Sequence, residues 1–149
     1  FDVKINKNEI HKESDSFRPG NKIKITKIKN VLFGFTICYD LRFPKLFRDL
    51  SKKGVEIILM PAAFTVPTGK DHWEILVRAR AIENNLYLIA TNMCGTHHTN
   101  RKTYGHSLLI DPWGKIENKA KNKPVILNSK IDLQKIKKIR KKIPSTHHD

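Results

Sequence analysis

The sequence predicts an α/β layer structure with a parallel component, and three observations carry that reading. Residues 31–37 (VLFGFTI), 55–64 (VEIILMPAAF) and 86–93 (LYLIATNM) are apolar runs of strand length without strict alternation, as buried strands are. Segments with apolar residues at helical spacing lie between them. Strands that alternate with helices are joined by crossovers, and crossovers make neighbouring strands parallel.

Each element follows from its residues. Phe1, Val3 and Ile5 alternate with polar positions and open the chain as a strand. Residues 6–21 are polar and close on Arg18-Pro19-Gly20-Asn21, a turn signal. The alternating stretch KIKITKIKN (22–30) then forms a hairpin with VLFGFTI, whose unbroken apolarity predicts cover on both faces. Phe43, Leu46, Phe47 and Leu50 repeat at helical spacing, and Gly54 ends that helix as a C-terminal cap. The strand VEIILMPAAF follows. DHWEILVRARAIENN (71–85) reads as the next helix, with Asp71 and Glu74 at capping-box spacing. After LYLIATNM, HSLLID and GKIENKA flank the turn Asp111-Pro112-Trp113-Gly114 as an antiparallel hairpin. PVILNSKID (124–132) is expected to add one further strand. KIKKIRKK (135–142) keeps Ile136, Ile139 and Ile143 at helical spacing, which predicts a surface helix with one buried stripe.

The bulk numbers bound the function. A length of 149 residues and 39% hydrophobic composition suit one domain over residues 1–149 with a real core. No window approaches the roughly 18 apolar residues of a membrane span, and no secretory signal opens the chain, so a cytoplasmic, non-membrane protein is expected. The first residue is Phe1, within an alternating pattern, which suggests a chain truncated at its N-terminus. Lys and Arg outnumber Asp and Glu by 29 to 14, for a formal charge of +15. A basic nucleic-acid-binding module is therefore one reading. The cations are mostly lysine and scattered, without interleaved aromatic residues, so no nucleic-acid partner is expected. Cys38 and Cys94 are too few for a disulfide framework. Neither the cysteines nor the pairs His97-His98 and His147-His148 have metal-ligand spacing, so no metal and no cofactor are expected.

Cys38 ends an apolar strand where the chain turns toward a helix. A thiol there projects above the sheet edge and gains from helix amides that favour thiolate, so it is a candidate nucleophile. Cysteine is also among the most buried residue types, and a small core hydrophobe is the alternative.

GFTICYDLRFP (34–44), MPAAFTVPTGKDHWEILVRARAIEN (60–84) and YGHSLLIDPWGKI (104–116) resemble, in order and nearly without gaps, the carboxy-terminal part of the carbon-nitrogen hydrolase (nitrilase) superfamily. The likeness runs from about Phe1 to Pro144 and is greatest to the branch of deaminated-glutathione amidases and ω-amidases. It implies an αββα four-layer sandwich, of which this chain is the C-terminal part. It also implies hydrolysis of a small carboxylate-bearing ω-amide through a cysteine thioester, releasing ammonia or amine, with homodimers of the complete chain. ω-Amidase, carbamoyl hydrolase and inactive remnant are the neighbouring readings.

The same resemblance assigns residues. Cys38 falls on the nucleophile, and Glu13 on a second glutamate that supports the site near a catalytic lysine. The lysine and the general-base glutamate fall upstream of Phe1, so these residues alone are expected to be inactive. The Tyr39 amide is expected to contribute to the oxyanion site. Arg42 is placed to hold a substrate carboxylate, or else pairs with Asp40 or Glu83. Ala63, Phe64 and Thr65 are expected to form the pocket wall, with core packing of Phe64 as its alternative. Arg78, Arg80 and Glu83 sit on one helix at spacings that allow pairing and read as structural or dimer-forming rather than catalytic. Trp113 is expected to pack in its turn, and Tyr104 and His106 to rim the pocket.

Overall fold

The structure, a computed structural model, describes residues 1–6, 9–98 and 100–148. It is mixed α/β. Strands β1 (Asp2–Asn6) and β2 (Glu9–Lys12) pair antiparallel as a separate ribbon. A six-stranded sheet follows, built from β3 (Lys24–Ile28), β4 (Val31–Phe35), β5 (Ile57–Ala62), β6 (Tyr87–Asn92), β9 (Leu108–Ile110) and β10 (Ile116–Lys119). Its order is β10-β9-β6-β5-β4-β3, and β4, β5 and β6 run parallel at its centre. The short strands β7 (Cys94–Thr96) and β8 (Lys102–Tyr104) form a second ribbon.

The parallel centre results from the two crossovers that the sequence marks. Helix α1 (Pro44–Lys52) joins β4 to β5, and Gly54 at φ 84° ends it in the left-handed conformation that favours glycine. A longer helical path joins β5 to β6: α2 (Val66–Thr68), a wide π-turn at Gly69–Trp73, and α3 (Glu74–Asn84). Asp71 and Glu74 therefore do not form the expected capping box. The helical path already begins after Thr65, with Pro67 in its first turn, and Asp71 lies inside it. The β3–β4 turn has Lys29 and Asn30 both at positive φ, the backbone of a two-residue hairpin turn.

The faces of the sheet are covered unequally. Phe47 and Leu50 of α1, with Trp73, Val77 and Ala81 of the second crossover, bury Ile58, Met60, Leu88 and Ala90 on one face. On the other, Ile136 of helix α4 (Leu133–Lys142) packs with Ile57, Tyr87 and Leu109. Burial of one such isoleucine favours folding by about 1.5–3 kcal/mol. The predicted cover on both faces of VLFGFTI is only half met. Gly34 and Thr36 are buried, whereas Phe35 and Ile37 remain exposed beyond the reach of α4.

The expected strand over 124–132 does not form. Val125 and Ile126 are exposed, and the segment is tied to β10 by a side chain rather than a ladder: the Asn118 amide donates to the Asn128 carbonyl (3.2 Å) and Ser129 Oγ (2.9 Å). The predicted stripe on α4 holds at Ile136 and Ile139 and fails at Ile143, which is exposed past the helix end. α4 is fixed by polar groups too. Arg140 donates to the carbonyls of Val55 (2.6 Å) and Asn85 (3.3 Å), and Lys135 pairs with buried Asp111. Among the described residues no helix is long and apolar enough to cross a membrane.

Candidate functional site

β4 ends at Phe35, and the Thr36 amide still donates to Leu59 on β5 (3.2 Å). Extended Ile37 leads into the 3-10 turn Cys38–Arg42. Cys38 opens it at φ 45°, a backbone that costs a non-glycine residue about 1–2 kcal/mol. Neighbouring groups hold the turn against that cost. The Asp40 carboxylate accepts the Ile37 amide (2.8 Å), and buried Arg80 donates Nε–H to the Leu41 carbonyl (2.9 Å). Cys38 is half-buried, at the C-terminal edge of the parallel strands, where open α/β sheets place their ligands. The turn separates Cys38 from α1, so the expected proximity to that helix's N-terminus is not met. Tyr39 stands second in the turn, where an amide has no acceptor within it.

Aromatic rings surround this turn. Tyr39 meets Phe43 edge-on at 5.8 Å, and the Phe1 ring lies 5.0 Å from both. Glu13 lies in the short turn Glu13–Asp15, pinned where Asp2 accepts the Ser14 amide (3.0 Å) and hydroxyl (2.7 Å). The Phe1 ring thus lays the first strand against the Cys38 turn.

Arg42 forms the next side. Its guanidinium lies 5.4 Å from the ring centres of Tyr39 and of Phe64, and both Nη atoms approach His72 Nδ1, at 3.3 and 3.4 Å. Asp40 is bound to the Ile37 amide, and Glu83 pairs with Arg80 at 2.7 Å. The turn thereby presents a cation between two aromatic faces.

Ala63, Phe64 and Thr65, the expected wall, follow directly on β5. Phe64 is buried in the main core, with its ring tilted against Trp73 at 4.9 Å, so its packing alternative is met, and the Arg42 guanidinium lies 5.4 Å from its centre. The wall is held by groups that sequence reasoning did not select. The Asn92 carboxamide accepts the Phe64 amide (2.9 Å) and donates to the Gly105 carbonyl (2.7 Å). Arg101 donates to the Ala63 carbonyl (2.9 Å), and Thr65 bridges Thr103. A buried amide side chain closing an apolar strand is the sequence signal for Asn92, since such a group needs partners.

Tyr104 and His106 stack at 4.2 Å, and the Trp73 indole donates to the His106 carbonyl (2.8 Å). Arg78 donates to the Gly114 carbonyl (3.0 Å) and Arg80 serves the Cys38 turn, so both are structural as expected. Trp113 is about half exposed beneath Lys142 rather than packed. A depression of about 270 Å³ lined by Pro44, Lys45, Arg48, Glu83 and Asn84 does not include Cys38.

Gly69 gives the wall a direct test. A Cβ there would lie 2.3 Å from Cβ and Cγ of Tyr104, a clash that the ring cannot swing away from. Gly69→Ala is expected to destabilise by about 1–3 kcal/mol. Urea unfolding of the variant checks it.

Comparison with known proteins follows the same outline. The family model for carbon-nitrogen hydrolases matches residues 1–141. The deaminated glutathione amidase of Yersinia enterocolitica is 43% identical over 100% of this chain and 52% of its own length. The enzyme of that name from Synechocystis sp. is 41% identical over 99% and 55%. The chain thus spans about half the length of the curated relatives it matches. The C. elegans NitFhit crystal structure is similar with a TM-score of 0.88 and 35% identity, over 100% of this chain and 36% of that one. An amidase of Nesterenkonia sp. AN1, in a glutamine variant carrying the acetamide moiety of fluoroacetamide on its active-site cysteine, matches at TM-score 0.69 and 26% identity, over 76% and 43%.

Proposed function

The chain belongs to the carbon-nitrogen hydrolase family, and from that premise we propose that it takes part in hydrolysing the ω-amide C–N bond of a small carboxylate-bearing substrate, such as deaminated glutathione, through a thioester on Cys38. The observation that carries this is the strained, half-buried Cys38 at the edge of the parallel strands, packed on its inner side against the main core and opening the turn that also carries Arg42, whose guanidinium lies by the Tyr39 and Phe64 rings. The names of the matched amidases favour this substrate class over ω-amidase and carbamoyl hydrolase.

In the proposed reaction the Cys38 thiolate attacks the amide carbon, and the carbonyl electrons move onto oxygen. The Tyr39 amide stabilises that oxyanion. Collapse breaks the C–N bond, and the amine leaves with a proton. Water then attacks the thioester, giving the carboxylate and restoring the thiol. Arg42 holds the substrate's own carboxylate, and Ala63, Phe64 and Thr65 enclose its carbon chain. Glu13, in the short turn Glu13–Asp15, is given by the family resemblance the role of supporting the lysine of that mechanism. The outer face of α3, with exposed Ile75 and Ile82, is read as the place where a second copy docks.

Fluoroacetamide tests the nucleophile. The Cys38 sulfur displaces fluoride and gains an acetamide group, while Cys94, also half-buried, provides the internal comparison. Peptide mass mapping is expected to show the adduct on Cys38 at least about tenfold faster. Equal labelling, or faster labelling of Cys94, overturns the proposal.

A further inference from the structure

We propose that His72 is a positioning residue for Arg42, fixing the guanidinium so that it receives the substrate's carboxylate; the inference rests on the reading of Arg42 as the carboxylate anchor. Guanidinium nitrogens only donate, so the approach of both Nη atoms to Nδ1 makes that nitrogen the acceptor. The imidazole is then neutral and carries its hydrogen on Nε2.

The backbone explains how His72 reaches a residue 30 positions away. It lies in the π-turn Gly69–Trp73, where Trp73 is buried against Phe64 while its neighbour His72 stays exposed toward Arg42. The wide turn offsets the two side chains relative to a regular helix. The rings of Tyr39 and Phe64 lie 5.4 Å from the guanidinium carbon, and His72 adds directional contacts to its two Nη atoms. A neutral acceptor suits this task better than an acid. A carboxylate would neutralise Arg42 and compete with the ligand, whereas imidazole orients the group and leaves its charge to the substrate. Of the five N–H groups of Arg42, His72 engages two, and the remainder can meet a carboxylate in a fork.

Glutarate, a small dicarboxylate, is the probe, titrated calorimetrically into the protein and three variants. Arg42→Met is expected to abolish binding. His72→Leu is expected to weaken it about tenfold, the equivalent of one hydrogen bond. His72→Asn, whose Oδ1 takes the place of Nδ1, is expected to stay within about threefold of the unaltered protein. The Arg42→Met/His72→Leu double variant should be no weaker than Arg42→Met alone. In the unaltered protein, ¹⁵N shifts of His72 should show bare Nδ1 and protonated Nε2, a readout that does not depend on any variant folding.

If His72→Leu binds normally while Arg42→Met fails, the inference falls and the Arg42 reading stands. If Arg42→Met binds normally, or the unaltered protein binds no glutarate, both fall. His72→Asn as weak as His72→Leu, or a hydrogen on Nδ1, overturns the inference alone.

Discussion

Replacing Asp111 with alanine is expected to lower folding stability by about 3 kcal/mol. Asp111 is fully buried at the β9–β10 turn, where its Oδ1 accepts the amides of Trp113 and Lys115, both at 2.8 Å, while Oδ2 pairs with Lys135 of α4. One carboxylate thereby closes the hairpin and anchors the helix that covers the second sheet face. Removing one partner of a buried pair costs about 3–5 kcal/mol. The lower end applies because Lys135 is partly exposed and keeps Glu117 at 2.9 Å. Asp111→Asn retains an acceptor for the two amides and loses only the charge, so about half the effect is expected. Urea unfolding monitored in the far ultraviolet distinguishes the two variants.

The same carboxylate sets a pH dependence. Burial pushes the Asp111 pKa upward, but the Lys135 ammonium and the two turn amides outweigh it and hold it below the ordinary carboxylate value. A depressed folded-state pKa means stability that is fully present above the unfolded value, about 3.9, and lost as pH falls through the folded one. Unfolding measured from pH 5 downward should therefore show an acid-side loss that is smaller in Asp111→Asn. Equal acid sensitivity of the two proteins would place the effect on other carboxylates.

The reach of the sequence can be judged from these residues. Strands β4, β5 and β6 were legible because burial by crossovers leaves continuous apolar runs, and the Asp111-Pro112-Trp113-Gly114 turn because its chemistry is local. The segment 124–132 misled because Val125 and Ile126 look like strand residues while the pairing that would make a strand is a tertiary fact. β2 was hidden for the converse reason: its residues are mostly polar, and only its ladder to β1 makes it a strand. At the site, Cys38 was legible as a thiol closing an apolar strand, strengthened by the motif resemblance, and Arg42 as a guanidinium four residues further on, whereas Glu13 came from the resemblance alone. Asn92, His72 and Arg101 act through contacts between residues 28 to 38 positions apart, which no local window contains.

Trp73 shows how such contacts tie core to site, and Trp73→Ala is expected to destabilise by about 3–5 kcal/mol. Its ring is fully buried, fills the space behind Phe64 at 4.9 Å, and ends in an N–H that serves the His106 carbonyl. Truncation opens a cavity and strands that carbonyl together. Trp73→Phe separates the two effects, since it keeps most of the apolar volume and loses the donor, at about 1–3 kcal/mol. Because Phe64 is one of the two rings against which Arg42 lies, the alanine variant should also weaken glutarate binding, while the phenylalanine variant should bind nearly normally. If both variants lose stability and affinity equally, the indole hydrogen bond rather than the packed ring holds the wall in place.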